Sequence, residues 1–211
     1  MATTGTTAEP LRYLALGDSY TIGESVDEAG RWPVQLADRL RKRGIALAPP
    51  AIVARTGWTT DELDRAIDEA APGTDHALVS LLIGVNNQYR GRPLPEYREE
   101  FTALLDRAIG FAGGDARRVF VLSIPDWGVT PFAAKSGRDR AQIARELDAY
   151  NDAARTIAQA RGVAFVDITA ISRGPGASAG MLAEDGLHPS ASQYALWAAA
   201  AEPVVARLLG R

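Results

Sequence analysis

The 211-residue chain has no cysteine and only two histidines, His76 and His188. The first absence removes disulfides, thiolate nucleophiles and cysteine-held metals. With no His-Glu-x-x-His pattern and no calcium-loop pattern either, no metal is expected. Acidic residues (26) barely outnumber basic ones (23), for a net charge of −3, so nothing marks a nucleic-acid partner. The densest basic run, Arg39 to Arg43, falls at the end of a predicted helix, where cations offset the dipole on a solvated face. No apolar run approaches the roughly 20 residues that a membrane helix needs. Tyr194–Ala201 comes nearest, and Glu202 and Pro203 end it. The opening MATTGTTAEP lacks the basic and apolar regions of a secretory leader. Nucleotide fingerprints are missing too. Gly17 and Gly23 stand one residue too far apart for a P-loop, Glu24 occupies the lysine place, and the first turn has no Gly-x-Gly-x-x-Gly. A soluble, cytoplasmic protein is expected, with a disordered tail over residues 1–10 and one domain over 11–211.

What is present is alternation. Short apolar runs predict strands at Tyr13–Leu16, Ala51–Ala54, Ala77–Ile83, Arg118–Ile124 and Val163–Asp167. Between them lie helical patterns. One runs from near Trp32 to the stop at Gly44, and one opens at Thr59, with Glu62 at capping-box spacing. A third repeats Tyr97, Phe101, Leu104, Leu105, Ala108 and Ile109 on one face. A fourth spans about Asp139 to Arg161, and the last follows Pro189 as far as Leu209. Such alternation predicts an α/β domain with a parallel sheet covered on both sides. Ligands then bind beyond the carboxyl ends of the strands. Four stretches stand there: GDSYT, RTGWTT, GVNNQYRG and PDWGVT.

A serine nucleophile needs a base, most often histidine. His76 begins the third strand, at the wrong end of the sheet, and reads as an exposed or capping histidine. His188 lies in EDGLHPS, before the last helix, and Asp185 precedes it by three residues. One turn brings both to the same face, where the carboxylate can accept the imidazole Nδ1 proton and free Nε2 to act as a base. Ser19 has the strand-then-turn setting that a nucleophile needs. Ser178 in GASAG matches the Gly-x-Ser-x-Gly elbow, but a flexible glycine-rich loop surrounds it and no strand leads in. For the oxyanion, the candidate donors are the N–H groups of Ser19 and Gly57 and the side-chain amide of Asn86.

Read together, GDSYT, Gly57 in RTGWT, GVNN and DGLHPS resemble the SGNH (GDSL-type) hydrolases, in the family's order over residues 17–190. The resemblance implies a flavodoxin-like three-layer α/β/α sandwich with a five-stranded parallel sheet, and ester hydrolysis without a cofactor. Ser19 would be nucleophile and oxyanion donor, with Gly57 and Asn86 completing the hole. His188 would be base and then acid, oriented by Asp185. Two positions depart from the pattern. Tyr20 stands where the family name has Leu and reads as packing, whereas Asn87 replaces the usual Asp and questions the local bonding that holds Asn86. Trp58, Asn87, Tyr89, Trp127 and Phe132 follow strand ends and are candidates to line the substrate pocket. No lid-like amphipathic segment is evident, which favours small or short-acyl esters, with lysophospholipids, thioesters and sugar acetates open. An acyltransferase using the same site, a non-catalytic pocket-binding protein and a nucleotide-binding regulatory domain are the alternatives. The oligomeric state is left open.

Overall fold

Five apolar runs become five parallel strands: β1 (Tyr13–Gly17), β2 (Ala51–Ala54), β3 (Leu78–Leu82), β4 (Val119–Leu122) and β5 (Ala164–Val166), in the order β2-β1-β3-β4-β5. The computed structural model describes residues 9–210. The tail expected over 1–10 therefore lies outside the described residues except for Glu9 and Pro10, which are exposed and irregular. β1 lies inside the sheet, next to the edge strand β2: Leu16 pairs with Val53 on one side and with Leu81 on the other. Both β1 and β3 are buried throughout, as the unbroken apolar run ALVSLLIG requires. The polar Ser80 inside that run is satisfied by a 3.0 Å hydrogen bond with the Tyr13 hydroxyl on the neighbouring strand.

Nine helices are described: α1 (Ser19–Ile22), α2 (Trp32–Lys42), α3 (Thr60–Ala70), α4 (Val85–Tyr89), α5 (Leu94–Phe111), α6 (Pro131–Lys135), α7 (Arg140–Ala160), α8 (Thr169–Arg173) and α9 (Ala191–Leu208). α2 packs against α9, while α3, α5 and α7 pack side by side in a second row. This is the α/β architecture the sequence predicts, with strand ends shifted by one or two residues. The long helices carry their own signals. The Glu62 carboxylate reaches back to the Thr59 N–H at 2.9 Å, and Asp139 and Ser190 cap α7 and α9. The basic run at the end of α2 is solvated, as expected, with Arg41, Lys42 and Arg43 exposed, and it also meets α9. Arg39 donates to Glu202 of α9 at 2.6 Å, and Arg43 lies 3.6 Å from the same carboxylate. Among the described residues no helix is long and apolar enough to cross a membrane.

The chain runs from β1 outward to β2 and then returns to the other side of β1 as β3. At such a reversal the loops leaving β1 and β3 diverge and open a crevice at the carboxyl edge. Those two loops are Gly-Asp-Ser at residues 17–19 and Gly-Val-Asn at 84–86.

Candidate active site

The turn after β1 is shaped by close packing. A Cβ on Gly17 would lie 2.6 Å from the Leu82 carbonyl of β3, so no larger residue fits. Asp18 then caps α1, its Oδ1 accepting the Tyr20 N–H at 3.0 Å. Ser19 is the first residue of α1, so its N–H has no intrahelical acceptor. α1 lasts one turn and closes on Gly23 (φ +70°), where the N–H groups of Gly23 and Glu24 both bond the Ser19 carbonyl at 3.0 Å. Asp18 is buried, its Oδ2 lacks a hydrogen-bond partner, and burial pushes its carboxyl up from 3.8 to about 7.

Gly57 follows β2 at φ +87°, a conformation that glycine takes without strain. Its turn is closed by the Trp58 N–H to the Arg55 carbonyl at 3.3 Å, and its own carbonyl accepts from Arg90 at 2.7 Å. Asn86 is held by donating one amide N–H to the Trp58 carbonyl at 2.9 Å, which leaves the second N–H of that amide for another acceptor. Having Asn rather than Asp at position 87 does not disturb this. Asn87 is fully buried, accepts the Thr60 N–H at 3.1 Å and donates to Thr60 Oγ1 at 2.6 Å, pinning the start of α3.

The loop before α9 is stapled by a bridge between Leu182 and Pro189, and the Ala183 N–H bonds the His188 carbonyl at 2.8 Å. Within it, Asp185 Oδ2 accepts His188 Nδ1–H at 2.6 Å, and Oδ1 accepts the N–H groups of Leu187 and His188 at 2.9 Å each. Partial burial would raise the Asp185 pKa, but these three donors outweigh it and hold the carboxyl below its usual range. The His188 ring packs against the Tyr20 ring with centroids 5.7 Å apart, and Tyr20 in turn packs on Trp197. Tyr20 is thus core packing, as expected, and it also braces the imidazole.

Ser19, Gly57, Asn86 and His188 all border one cavity of about 210 Å³. Its remaining wall is mainly apolar, from Tyr20, Val85, Tyr89, Trp127, Phe132 and Leu187, with Thr56 at the edge. Trp127 is fixed by donating its indole N–H to Gln88 at 2.9 Å, and Gln88 is fixed by Glu146 at 2.6 Å. The Arg138 guanidinium lies 5.3 Å from the Tyr89 ring centroid and 5.2 Å from that of Trp127, bracing both. A hydroxyl, an imidazole backed by a carboxylate, and N–H donors facing one apolar cavity are the parts that acyl transfer uses. A larger, shallow groove of about 960 Å³ lies on the outer side of the Asp185 loop and is bordered by none of these groups.

Two expected pocket residues are placed elsewhere. Asn87 points into the core, and Trp58 contributes its carbonyl to Asn86 while its ring lies outside the cavity lining. Tyr89, Trp127 and Phe132 do line it. Val85, Leu187, Thr56 and Arg138 are not singled out by the sequence, the first two for want of any signal beyond being apolar. His76 is buried rather than exposed; its Nε2–H bonds the Pro72 carbonyl at 2.9 Å, in the loop leading into β3. Ser178 sits in an exposed turn and does not border the cavity.

No curated protein sequence matches this chain. Solved structures do resemble it in fold. The crystal structure of TesA superposes with a TM-score of 0.72 at 19% identity, over 93% of this chain and 99% of that one. A psychrotrophic esterase, EstA from Pseudoalteromonas sp., gives 0.70 at 16% identity, over 95% and 99%. A lipase/acylhydrolase from Enterococcus faecalis gives 0.71 at 19% identity, over 95% and 96%. Those identities speak for the fold alone. The sequence profile of the GDSL-like lipase/acylhydrolase family, however, matches residues 15–196, from β1 into α9, and so takes in every loop that borders the cavity. The chain belongs to that family of enzymes acting on ester bonds.

Proposed function

We propose that this chain is a serine esterase for small or short-acyl esters, working through an acyl-enzyme on Ser19. The observation that carries the reading is the Asp185–His188 pair, hydrogen-bonded at 2.6 Å on a loop near the far end of the chain, with His188 bordering the same cavity as Ser19. In the proposed cycle, Ser19 Oγ attacks the ester carbonyl as His188 Nε2 takes its proton. The oxyanion is met by the N–H groups of Ser19 and Gly57 and by the free amide N–H of Asn86. The tetrahedral intermediate collapses, His188 gives its proton to the leaving alkoxide, and an alcohol departs. Water attacks the acyl-enzyme with the same histidine as base, which releases the acid and restores Ser19. Asp185 stays ionised throughout, fixing the tautomer and balancing the imidazolium.

Cavity size supports the short acyl chain. At about 210 Å³ the cavity is below the roughly 300–1,000 Å³ usual for ligand pockets, and its mainly apolar wall suits a short chain. The test is hydrolysis of p-nitrophenyl acetate, butyrate, hexanoate, octanoate and decanoate by wild type and by Ser19→Ala, His188→Ala and Ser178→Ala. The expected result is kcat/KM peaking between butyrate and hexanoate, lost without Ser19 or His188 and kept without Ser178. A folded Ser19→Ala protein with wild-type turnover would overturn the assignment. Addition of acceptor alcohols to the same assay separates transfer from hydrolysis.

A further inference from the structure

Among the described residues only Ser25 and Ala71 have positive φ without being glycine. Ala71 is explained by its place: it ends α3, and its N–H closes the helix on the Ile67 carbonyl. Ser25 ends no helix. It stands two residues beyond Gly23, at φ +65°, where glycine would sit without strain. A serine there suggests that its side chain is in use. Its Oγ donates to Asp185 Oδ2 at 3.1 Å, across 160 residues of sequence.

The acceptor sites of Asp185 show what that bond adds. Oδ1 takes the Leu187 and His188 N–H groups, and Oδ2 takes His188 Nδ1–H. These three donors lie within three residues of Asp185, so they would move with its loop. Ser25 alone reaches the carboxylate from the segment that carries Ser19. That segment is itself tied back to Ser19, through the Gly23 and Glu24 N–H groups on the Ser19 carbonyl and the Val26 N–H on Gly23.

We propose that Ser25 is a positioning residue, whose hydroxyl ties the Asp185–His188 pair to the Ser19 turn and so sets the imidazole relative to the nucleophile. The inference rests on the triad assignment above. Its test compares Ser25→Gly, Ser25→Ala, Ser19→Ala, Asp185→Asn and the Ser25→Gly/Asp185→Asn double variant, each measured for kcat and KM on p-nitrophenyl butyrate and for Tm. A merely structural serine would lower Tm when removed. Ser25→Gly instead removes the hydroxyl and relieves the backbone, so its Tm should equal or exceed that of wild type. Its kcat should fall about tenfold, the scale of one hydrogen bond to a charged group, with KM unchanged. Ser25→Ala should lose the same kcat but have the lower Tm of the two. Within the Asp185→Asn background, Ser25→Gly should change nothing further. If Ser25→Gly keeps wild-type kcat while Ser19→Ala and Asp185→Asn lose it, the triad stands and the role of Ser25 is refuted. If Ser19→Ala or Asp185→Asn keeps wild-type turnover, the site assignment fails and the role of Ser25 falls with it.

Discussion

Asp18 makes the chain less stable as pH rises, and the Asp18→Asn substitution should remove the effect. The carboxyl is about 1% exposed, one of its oxygens has no partner, and burial outweighs the Tyr20 N–H bond to raise its pKa from 3.8 to about 7. Below pH 4 the group is protonated both folded and unfolded and costs nothing. Between pH 4 and 7 the unfolded chain releases the proton while the folded chain keeps it, so unfolding becomes progressively easier. Above pH 7 both forms are ionised and the loss levels off. Each tenfold difference in proton affinity is worth about 1.4 kcal/mol, so the whole loss is roughly 4 kcal/mol. In Asp18→Asn the amide oxygen keeps an acceptor for the Tyr20 N–H, and the side chain matches the shape of the neutral acid. Urea melts of wild type and Asp18→Asn at pH 4.5, 6, 7 and 8.5 give the stability difference directly, because every other carboxylate titrates in both proteins. That difference should grow in favour of the variant by most of roughly 4 kcal/mol between the extremes and flatten above pH 7.5. A constant difference at all four pH values would show that Asp18 is ionised in the folded protein throughout, and the burial reasoning would be wrong.

Other perturbations follow from the same network. Asn86→Ala removes the proposed oxyanion donor and should lower kcat by about 10²–10³, while the lost bond to the Trp58 carbonyl costs about 1 kcal/mol of stability in a urea melt. Asn87→Asp restores the family's usual residue, yet it should destabilise this chain. Thr60 Oγ1 already gives its proton to Glu100, so a buried carboxylate at 87 has no donor to replace the amide, at a cost of about 2 kcal/mol that protonation at acid pH should largely reverse in thermal melts. Arg138→Ala frees the Tyr89 and Trp127 rings, and the KM for butyrate esters should rise about 2–5-fold with kcat for acetate unchanged.

Where the sequence speaks clearly, a period or a cap is speaking. The five strands and the five long helices repeat apolar residues often enough to show their faces, and Thr59, Asp139 and Ser190 mark three helix starts. α1, α4, α6 and α8 have four or five residues each, too few to display any period. Asn87 escapes a sequence reading for a related reason. Neighbours on a helix point about 100° apart, so once α4 forms, Asn86 faces the cavity and Asn87 the core. The burial of His76 comes from a distant element: the end of α5 supplies the Phe111 carbonyl to its N–H at 3.1 Å. Arg138 stacks on rings 49 and 11 residues earlier in the chain, and no local signal announces such a contact. The residues proposed for the chemistry stand out in the sequence because each combines a chemical type that acyl transfer uses with a strand end or a short turn to hold it.

That legibility has a physical counterpart in how the site is held. Ser19 is positioned by a cap and a one-turn helix, Asn86 by a neighbouring carbonyl, and His188 by a carboxylate three residues away, so each group of the proposed site is fixed mostly by its own surroundings. Donors held this way need little reorganisation when charge develops on the substrate, which is where electrostatic catalysis gains most. The relative placement of the segments is a separate problem. The sheet solves it for Ser19, Gly57 and Asn86, because β1, β2 and β3 are adjacent in one ladder and their ends rise together. His188 has no strand beneath it: its loop hangs between α8 and α9, beyond the last β-strand. It is the one group of the proposed site whose distance from Ser19 the sheet does not set, so a cross-link such as the Ser25–Asp185 hydrogen bond matters more there than at any other point of that site.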